Sequence, residues 1–512
     1  MNGKIILIIL LIFISIGLII LLYKPTSNFT INYGHNITKN IGQNILPFES
    51  EDERFEYYIG ALINDKAIKF NFNEKRESEG KFQLLENPDT ATYRDDLIKI
   101  SNICNTNIKL PFGKGDIQHN FDYIALAKSR PILNNNMLSN NVLLPLQINR
   151  HMSFARDIIN KVAGEKNWDD KSNKLLWRGT TTGNDVNKLH NRFTLVGKYF
   201  NEDWCDIGFS SICQDKDQYK NLVKNEISQK DLLNHKYLLC IEGNDVASST
   251  KWMLAANSVV LSPRFTIETW YAEGKLIPYV HYVPINSTFD DLKEKYDWCV
   301  ANPRKCKIIA DNATEFIKYF CNEDYENKMV CRVINKLTKE VKLKQFQNEL
   351  KELMKLLDEL CDKLNIEYWA HYGTLLGAVR NKDIIPFDDD LDIGMTRSDY
   401  NILINNADIA EKFGLKYSYD DDIPRVKLIN FDTNIEPYLD IFIMENVDGD
   451  FKITEGKWAE EKGYFTPEEL YPLKEYKFGN INIKGPNIPI PFLEREYGDW
   501  QIEKKTHSHH DF

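Results

Sequence analysis

The feature that most restricts the fold is a run of carboxylates inside apolar sequence. Asp388, Asp389, Asp390 and Asp392 fill four of five consecutive positions, hemmed by Ile384, Ile385, Pro386 and Ile393. Like charges this close repel, by several kcal/mol per pair at reduced dielectric. A fold that packs this segment against a core has to supply something cationic. In an extended segment side chains alternate, so Asp388, Asp390 and Asp392 share one face while Asp389 and Leu391 share the other. Carboxylates about 6–7 Å apart along one face can converge on one hard cation such as Mg2+ or Mn2+. A solvated acidic turn is the bland alternative. An EF-hand loop is a second, and it fails: the glycine falls one place late, at Gly394, and the twelfth position is Asp399 rather than glutamate.

The surroundings favour the cation. Residues 368–380 read YWAHYGTLLGAVR, a strand followed by a Gly-Thr turn that opens a short helix. Backbone N–H groups at Gly373 and Thr374 would form a helix N-terminus suited to phosphate oxygens. Farther on, residues 438–443 read YLDIFI, an apolar strand interrupted by one charge. A carboxylate in such a strand is costly unless paired or metal-bound, which makes Asp440 the candidate third ligand. Arg380 is placed to meet a phosphate with its planar fork, and it reads equally well as an exposed helix-end arginine.

At 512 residues the chain exceeds one ordinary core, so two or three domains are expected. With 64 Lys plus Arg against 75 Asp plus Glu there is no basic track for a phosphate backbone. Nucleic acid is excluded as a partner, and with it a nucleotide-adding polymerase. Residues 5–23 form an unbroken apolar run between Lys4 and Lys24. About 19 residues rising 1.5 Å each span roughly 28 Å, the thickness of a bilayer core. A cleaved signal peptide would have a shorter core followed by small residues; here Tyr23, Lys24 and Pro25 follow. The reading is an uncleaved transmembrane signal-anchor over 1–24, a polar stalk over 25–50, and a type II single-pass protein with lumenal (ER/Golgi) catalytic domains. Flanking charges are nearly even and specify orientation only weakly.

Four Asn-x-Ser/Thr sequons, at Asn28, Asn36, Asn286 and Asn312, agree with a lumenal body. Nine cysteines are an odd number; Cys299 with Cys306, or Cys205 with Cys213, could bridge there. From 51 to 325 short apolar runs alternate with helical segments, the mark of an α/β layered fold. Helical periodicity then dominates 336–364, with Leu353, Leu356, Leu357, Leu360 and Leu364 on one stripe. That helix opens a second domain, taken as 326–512. The terminal THSHHDF reads as a loose tail rather than a ligand set.

In the first domain, residues 176–183 read LWRGTTTG and deliver Arg178 into a Gly- and Thr-rich turn. Arginine beside backbone and hydroxyl donors suits a diphosphate, although an ordinary loop reads the same way. Residues 237–252 (YLLCIEGNDVASSTKW) are again strand, turn and helix start, where the serines and Lys251 could meet that anion or simply cap the helix.

Two resemblances follow from these residues. HYGTLLGAVR, IIPFDDDLDIG, YLDIFIM and FLEREYGDW, in that order over roughly 340–512, resemble the LicD and fukutin-related phosphotransferases. The resemblance implies an α+β nucleotidyltransferase-like domain, a CDP-linked donor, and transfer of a phospho-alcohol or phosphocholine onto a glycan. It also implies Asp390, Asp392 and Asp440 as catalytic metal-binding acids with Asp388 beside them, and Gly373-Thr374 as the donor turn. FDYIALAKSRP, LWRGTTTG, HKYLLCIEGNDVASSTKW and WYAEGKLIPYVHYVPI, over roughly 110–325, resemble the Rumi-like protein O-glucosyltransferase and capsule-associated xylosyltransferase family. That implies a GT-B-like pair of Rossmann-like lobes, a UDP-sugar donor held without metal, donor contacts from Arg178, Lys251 and Glu268, and inversion at the anomeric carbon. The position matching the family's aspartate base is Ser129, and a serine of ordinary pKa is no general base at neutral pH. Either another acid, such as Asp116 or Asp122, takes the role, or this domain is weak or inactive as a transferase.

The leading expectation is a bifunctional enzyme acting on a glycan or glycoprotein acceptor, with both active sites held near the membrane. The alternative keeps one active LicD-type domain and makes the first domain a non-catalytic glycan-binding module.

Overall fold

Serine, acid and glycine chemistry starts and stops the first helix. The computed structural model describes residues 46–502 apart from 64–93, 107–109, 114–115, 134–136, 147, 162–165, 184–190, 421 and 457–462. Helix α1 (Glu51–Ile59) begins where the Ser50 side chain accepts from the Glu53 N–H, carries three acids in its first turn, and ends at Gly60 with φ 54°. Helix α2 (Arg94–Cys104) follows. Strands β1 (Phe112–Gly113), β2 (Ala125–Ala127) and β4 (Asn141–Leu143) form a small parallel sheet in the order β1-β2-β4. Strand β3 (Ser129–Pro131) leaves that sheet and pairs antiparallel with β9 (Ile267–Thr269).

The larger sheet is all parallel, in the order β10-β8-β7-β5-β6. Its strands are β5 (Ser172–Thr180), β6 (Cys205–Ser211), β7 (His235–Leu239), β8 (Val259–Ser262) and β10 (Val283–Pro284). Side-chain alternation splits their residues between two cores. Leu175, Trp177, Tyr237, Leu239, Val259 and Leu261 pack with Phe193, Leu195 and Val196 of helix α3 (Arg192–Tyr199). Leu176, Leu238, Cys240 and Val260 pack with Trp252, Met253 and Leu254 of helix α4 (Thr250–Ala255) on the other face. The chain leaves β5 toward β6 and β7 toward β8, in opposite directions, so the carboxyl ends of β5 and β7 flank a topological switch point.

Helix α5 (Glu323–Leu364) runs unbroken for 42 residues. Its first half, from Met329 to Val341, belongs to the core beneath the parallel sheets, and its second half, from Phe346 to Cys361, to a separate core. The expected boundary at 325/326 thus falls in the first turn of a helix that runs from one core into the other. The amino half is held by a buried pair: Arg54 of α1 donates two 2.6 Å bonds to Glu326. A disulfide joins Cys104 of α2 to Cys331. The pairs expected from spacing are not bridged: Cys205, Cys213, Cys299 and Cys306 are free thiols, and Cys306 Sγ donates to the Cys299 carbonyl.

The second core covers a mixed sheet in the order β11-β12-β15-β14-β13, with β16 (Asp450–Ile453) on β15. Its strands are β11 (Trp369–Ala370), β12 (Asp392–Thr396), β13 (Leu415–Asp420), β14 (Ile423–Leu428) and β15 (Tyr438–Val447). Only β12 and β15 are parallel. The whole is mixed α/β with parallel sheets, as expected. The signal-anchor and most of the stalk lie outside the described residues, as does the histidine tail; among the described residues no helix is long and apolar enough to cross a membrane. Of the sequons, Asn286 is exposed and Asn312 half-buried within a helix, while Asn28 and Asn36 lie outside the described residues.

Candidate functional site

The parallel pairing of β12 and β15 sets Asp392 directly beside Asp440. Carboxylate oxygens of Asp390, Asp392 and Asp440 lie within 4.8 Å of one another, and so do oxygens of Asp388, Asp389 and Asp390. Asp390 belongs to both groups. Only Asp392 of the acidic run is in a strand, yet the expected alternation is present: Asp389 and Leu391 are buried while Asp388, Asp390 and Asp392 are half-buried. From α5, Gln347 Nε2 donates to the carbonyls of Ile385 (3.1 Å) and Asp388 (2.7 Å), which fixes the loop that carries them.

Burial first, then repulsion from Asp390, pushes the Asp388 and Asp392 carboxyls well above the ordinary range; Asp440 adds to the repulsion at Asp392. Part of the compensation is Arg425, which the sequence reading missed. It stands opposite Asp440 in β14, and its Nε donates to Asp440 Oδ1 at 2.6 Å. The guanidinium lies 4.4 Å over the Tyr438 ring. A donor set of carboxylate oxygens alone fits a hard divalent cation.

Gly373 and Thr374, the expected donor turn, both bond to Asp392. In helix α6 (Tyr372–Leu376) the Gly373 N–H donates to Asp392 Oδ2 at 3.0 Å, and Thr374 Oγ1 accepts from the Asp392 N–H at 2.8 Å. The charge at that helix start is spent on orienting a carboxylate. A Cβ at 373 would lie 3.0 Å from Asp388 Oδ2 and 3.3 Å from Asp392 Oδ2, so close approach requires the glycine. Arg380 donates to Asn381 Oδ1 (2.9 Å) and to the Trp500 carbonyl (3.0 Å), a tie to the carboxy-terminal segment. The Tyr497 phenol is pushed up by burial and by the charges of Asp392 and Asp388.

In the amino-terminal half the crevice between β5 and β7 is held by Arg192, also missed from sequence. This guanidinium donates to the carbonyls of Thr180 (3.1 Å), Ile241 (2.9 Å) and Glu242 (3.1 Å) and to Thr182 Oγ1 (2.6 Å). Burial pulls it down to about 10. Gly183 N–H meets Asn244 Oδ1 at 2.9 Å across the crevice.

Two of the residues expected to meet the donor are engaged within the protein. Arg178 is committed to β6: it donates to Asp206 Oδ2 (2.9 Å) and to the carbonyls of Trp177, Asp206 and Asn225. Four of its five N–H groups are thereby used, leaving little for a diphosphate. Glu268 bonds Arg130 Nε (2.8 Å), the Tyr57 hydroxyl and the Gly274 N–H (3.2 Å), as a brace between β3 and β9. Lys251 is buried in α4, with Nζ 4.7 Å from the Tyr271 ring centroid and 5.3 Å from that of Trp270. Its ammonium is pulled down by burial, while Glu273 opposes the shift.

Residues 143–364 match the model of glycosyl transferase family 90, and residues 365–488 that of the LicD/FKTN/FKRP nucleotidyltransferase domain. The two halves resemble two transferase families. The matched segments meet at the carboxyl end of α5, beyond the boundary expected from sequence. An uncharacterized protein of Rickettsia prowazekii (strain Madrid E) is 41% identical over 165 residues, 31% of this chain and 58% of that one. The O-glucosyltransferase LpsA of Dichelobacter nodosus is 32% identical over 212 residues, 41% of this chain and 61% of LpsA. The ribitol-5-phosphate transferase FKTN of Homo sapiens is 28% identical over 164 residues, 31% of this chain and 35% of FKTN. The chain thus spans less than two thirds of each of these relatives.

Proposed function

We propose that the chain is a membrane-anchored, bifunctional glycan-modifying transferase: a UDP-sugar-dependent glycosyltransferase over 51–325, with two Rossmann-like lobes in a GT-B arrangement, followed over 326–512 by a metal-dependent transferase of phospho-alcohol or phosphocholine from a CDP-linked donor. The apolar run 5–23 supports the anchor, and the sequons at Asn28, Asn36, Asn286 and Asn312 support a lumenal body. The observation that carries the second activity is the convergence of Asp390, Asp392 and Asp440 within 4.8 Å. When bound, Mg2+ or Mn2+ would neutralise the donor diphosphate and the departing nucleotide. The chain's own groups prepare that site: Asp390, Asp392 and Asp440 would hold the ion, Gly373 N–H orients Asp392, and Arg425 orients Asp440.

The test is mass spectrometry of a glycan acceptor incubated with full-length protein and panels of UDP-sugars and CDP-alcohols, beside Asp392→Asn and Asp440→Asn. Loss of the phospho-alcohol adduct in both variants, with circular dichroism unchanged, supports the reading. Full activity in either one removes it. A second reading, in which the first domain only binds glycan, is favoured by Ser129 at the matched base position and by the engagement of Arg178 with Asp206.

A further inference from the structure

Transfer of a sugar to a hydroxyl needs a carboxylate or equivalent base to take the hydroxyl proton. The described part of the amino-terminal half buries seven carboxylates: Asp96, Glu242, Asp245, Glu268, Glu273, Glu326 and Glu340, the last paired with Lys336 one turn earlier on α5. Four of them have both oxygens engaged. Glu242 accepts from the N–H and Oγ1 of Thr266 and from the Ile267 N–H. Glu268 is braced by Arg130, Tyr57 and Gly274. Glu273 accepts from the N–H and Oγ1 of Thr269, and Glu326 grips Arg54. Asp96 lies in the first turn of α2, a helix packed on α5 rather than at the crevice.

Asp245 differs in both place and bonding. It follows β7 at the switch-point crevice, and both of its side-chain contacts fall on one oxygen. Oδ2 meets Lys128 Nζ at 2.8 Å and Ser129 Oγ at 3.1 Å; the Ile117 carbonyl is a second acceptor for that hydroxyl, at 3.4 Å. Oδ1 has no hydrogen-bond partner among the described residues, and it is not sealed from solvent. The loop is braced from both sides. Asn244 Nδ2 donates to Asp116 Oδ2 (3.2 Å), Gln118 Nε2 donates to the Asn244 carbonyl, and Gly183 N–H donates to Asn244 Oδ1. Such bracing holds one carboxylate oxygen in a fixed direction. Asp116 shares Lys128 at 2.7 Å and has each oxygen in use, while Asp122 is exposed. Neither expected substitute for Ser129 has a free, fixed oxygen.

We propose that Asp245 is the general base of the glycosyltransferase half, an assignment that rests on the UDP-sugar reading above. Asp245 Oδ1 takes the proton of the acceptor hydroxyl as its oxygen forms a bond to the anomeric carbon. The bond from that carbon to the diphosphate oxygen breaks, its electron pair leaves with UDP, and the configuration inverts. Lys128 and Ser129 both hold Oδ2, so both are positioning residues. Ser129 and Asp245 then stand as neighbours that have divided one job: the carboxylate has moved across the crevice and the hydroxyl marks where it points.

The experiment measures UDP release by the full-length protein from UDP-glucose, UDP-galactose, UDP-xylose and UDP-N-acetylglucosamine. It compares wild type, Asp245→Asn, Ser129→Asp and the exchange variant Ser129→Asp with Asp245→Ser. The expected result is a fall in kcat of roughly 10²–10⁴-fold in Asp245→Asn, with KM for the donor unchanged and turnover recovered in the exchange variant. An Asp245→Asn protein that keeps wild-type kcat overturns the assignment. A wild type without turnover that gains it in Ser129→Asp overturns it too, while sparing the transferase reading. Binding of UDP with no turnover in wild type or in Ser129→Asp sinks the transferase reading itself, and the assignment with it.

Discussion

Replacing Asp392 by asparagine should change the sign of its effect on stability with the metal. The oxygens of Asp390, Asp392 and Asp440 lie within 4.8 Å, and two unit charges at that separation repel by about 3.5 kcal/mol at an effective dielectric of about 20. Arg425 offsets part of this at Asp440, and an asparagine oxygen can still accept from the Gly373 N–H. At a pH high enough to ionise all three carboxyls, Asp392→Asn should therefore stabilise the metal-free protein by about 2–3 kcal/mol. A cation that binds only the folded state adds about 4.1 kcal/mol to wild type at about 1,000 times its Kd, and much less to a variant that has lost a ligand. The order of stability should then invert. Scanning calorimetry of the full-length protein in EDTA and in excess Mn2+ reads this from the transition that Mn2+ moves. A domain of this size shifts by roughly 2–4 °C per kcal/mol, so asparagine should raise that transition by about 4–12 °C in EDTA. A variant less stable than wild type in EDTA, or one that gains as much from Mn2+, would refute the electrostatic argument.

Three other outcomes are expected. Gly373→Ala puts a Cβ 3.0 Å from Asp388 Oδ2, and displacing the group that orients a ligand should weaken Mn2+ binding about 10–100-fold by calorimetry. Burial pulls the Lys251 ammonium down, so UDP affinity should fall as pH rises, before the ordinary lysine value of about 10.4. Titration calorimetry across pH checks this, and in Lys251→Arg the affinity should stay flat, because arginine keeps its charge. Cys104→Ser opens a crosslink between residues 227 apart and should lower denaturant stability of the amino-terminal half by roughly 2–5 kcal/mol; an unchanged midpoint would show that the unfolded chain is not constrained there.

What could be seen in the sequence of each site follows from how far its chemistry is local. Asp388, Asp390, Asp392 and Asp440 stood out because a charge among apolar neighbours is conspicuous along the chain itself, and strand alternation placed the first three on one face without tertiary information. Gly373 stood out as well, but its partner did not. Only the pairing of β12 beside β11 and β15 brings the Asp392 carboxylate to the N–H that sequence reasoning had aimed at a phosphate. Arg425 sits 15 residues before Asp440 in an ordinary alternating strand, and no pattern short of the β14–β15 register tells it from Lys427. Arg178 shows the converse: Trp177-Arg178-Gly179 looks like a ligand turn, yet parallel pairing with β6 places Asp206 within hydrogen-bond reach of its guanidinium. Asp245 was passed over for the same reason, since next to Asn244 it reads as loop filler. Its meaning comes from Ser129, 116 residues earlier, across a crevice that exists only because β5 and β7 send their connections in opposite directions.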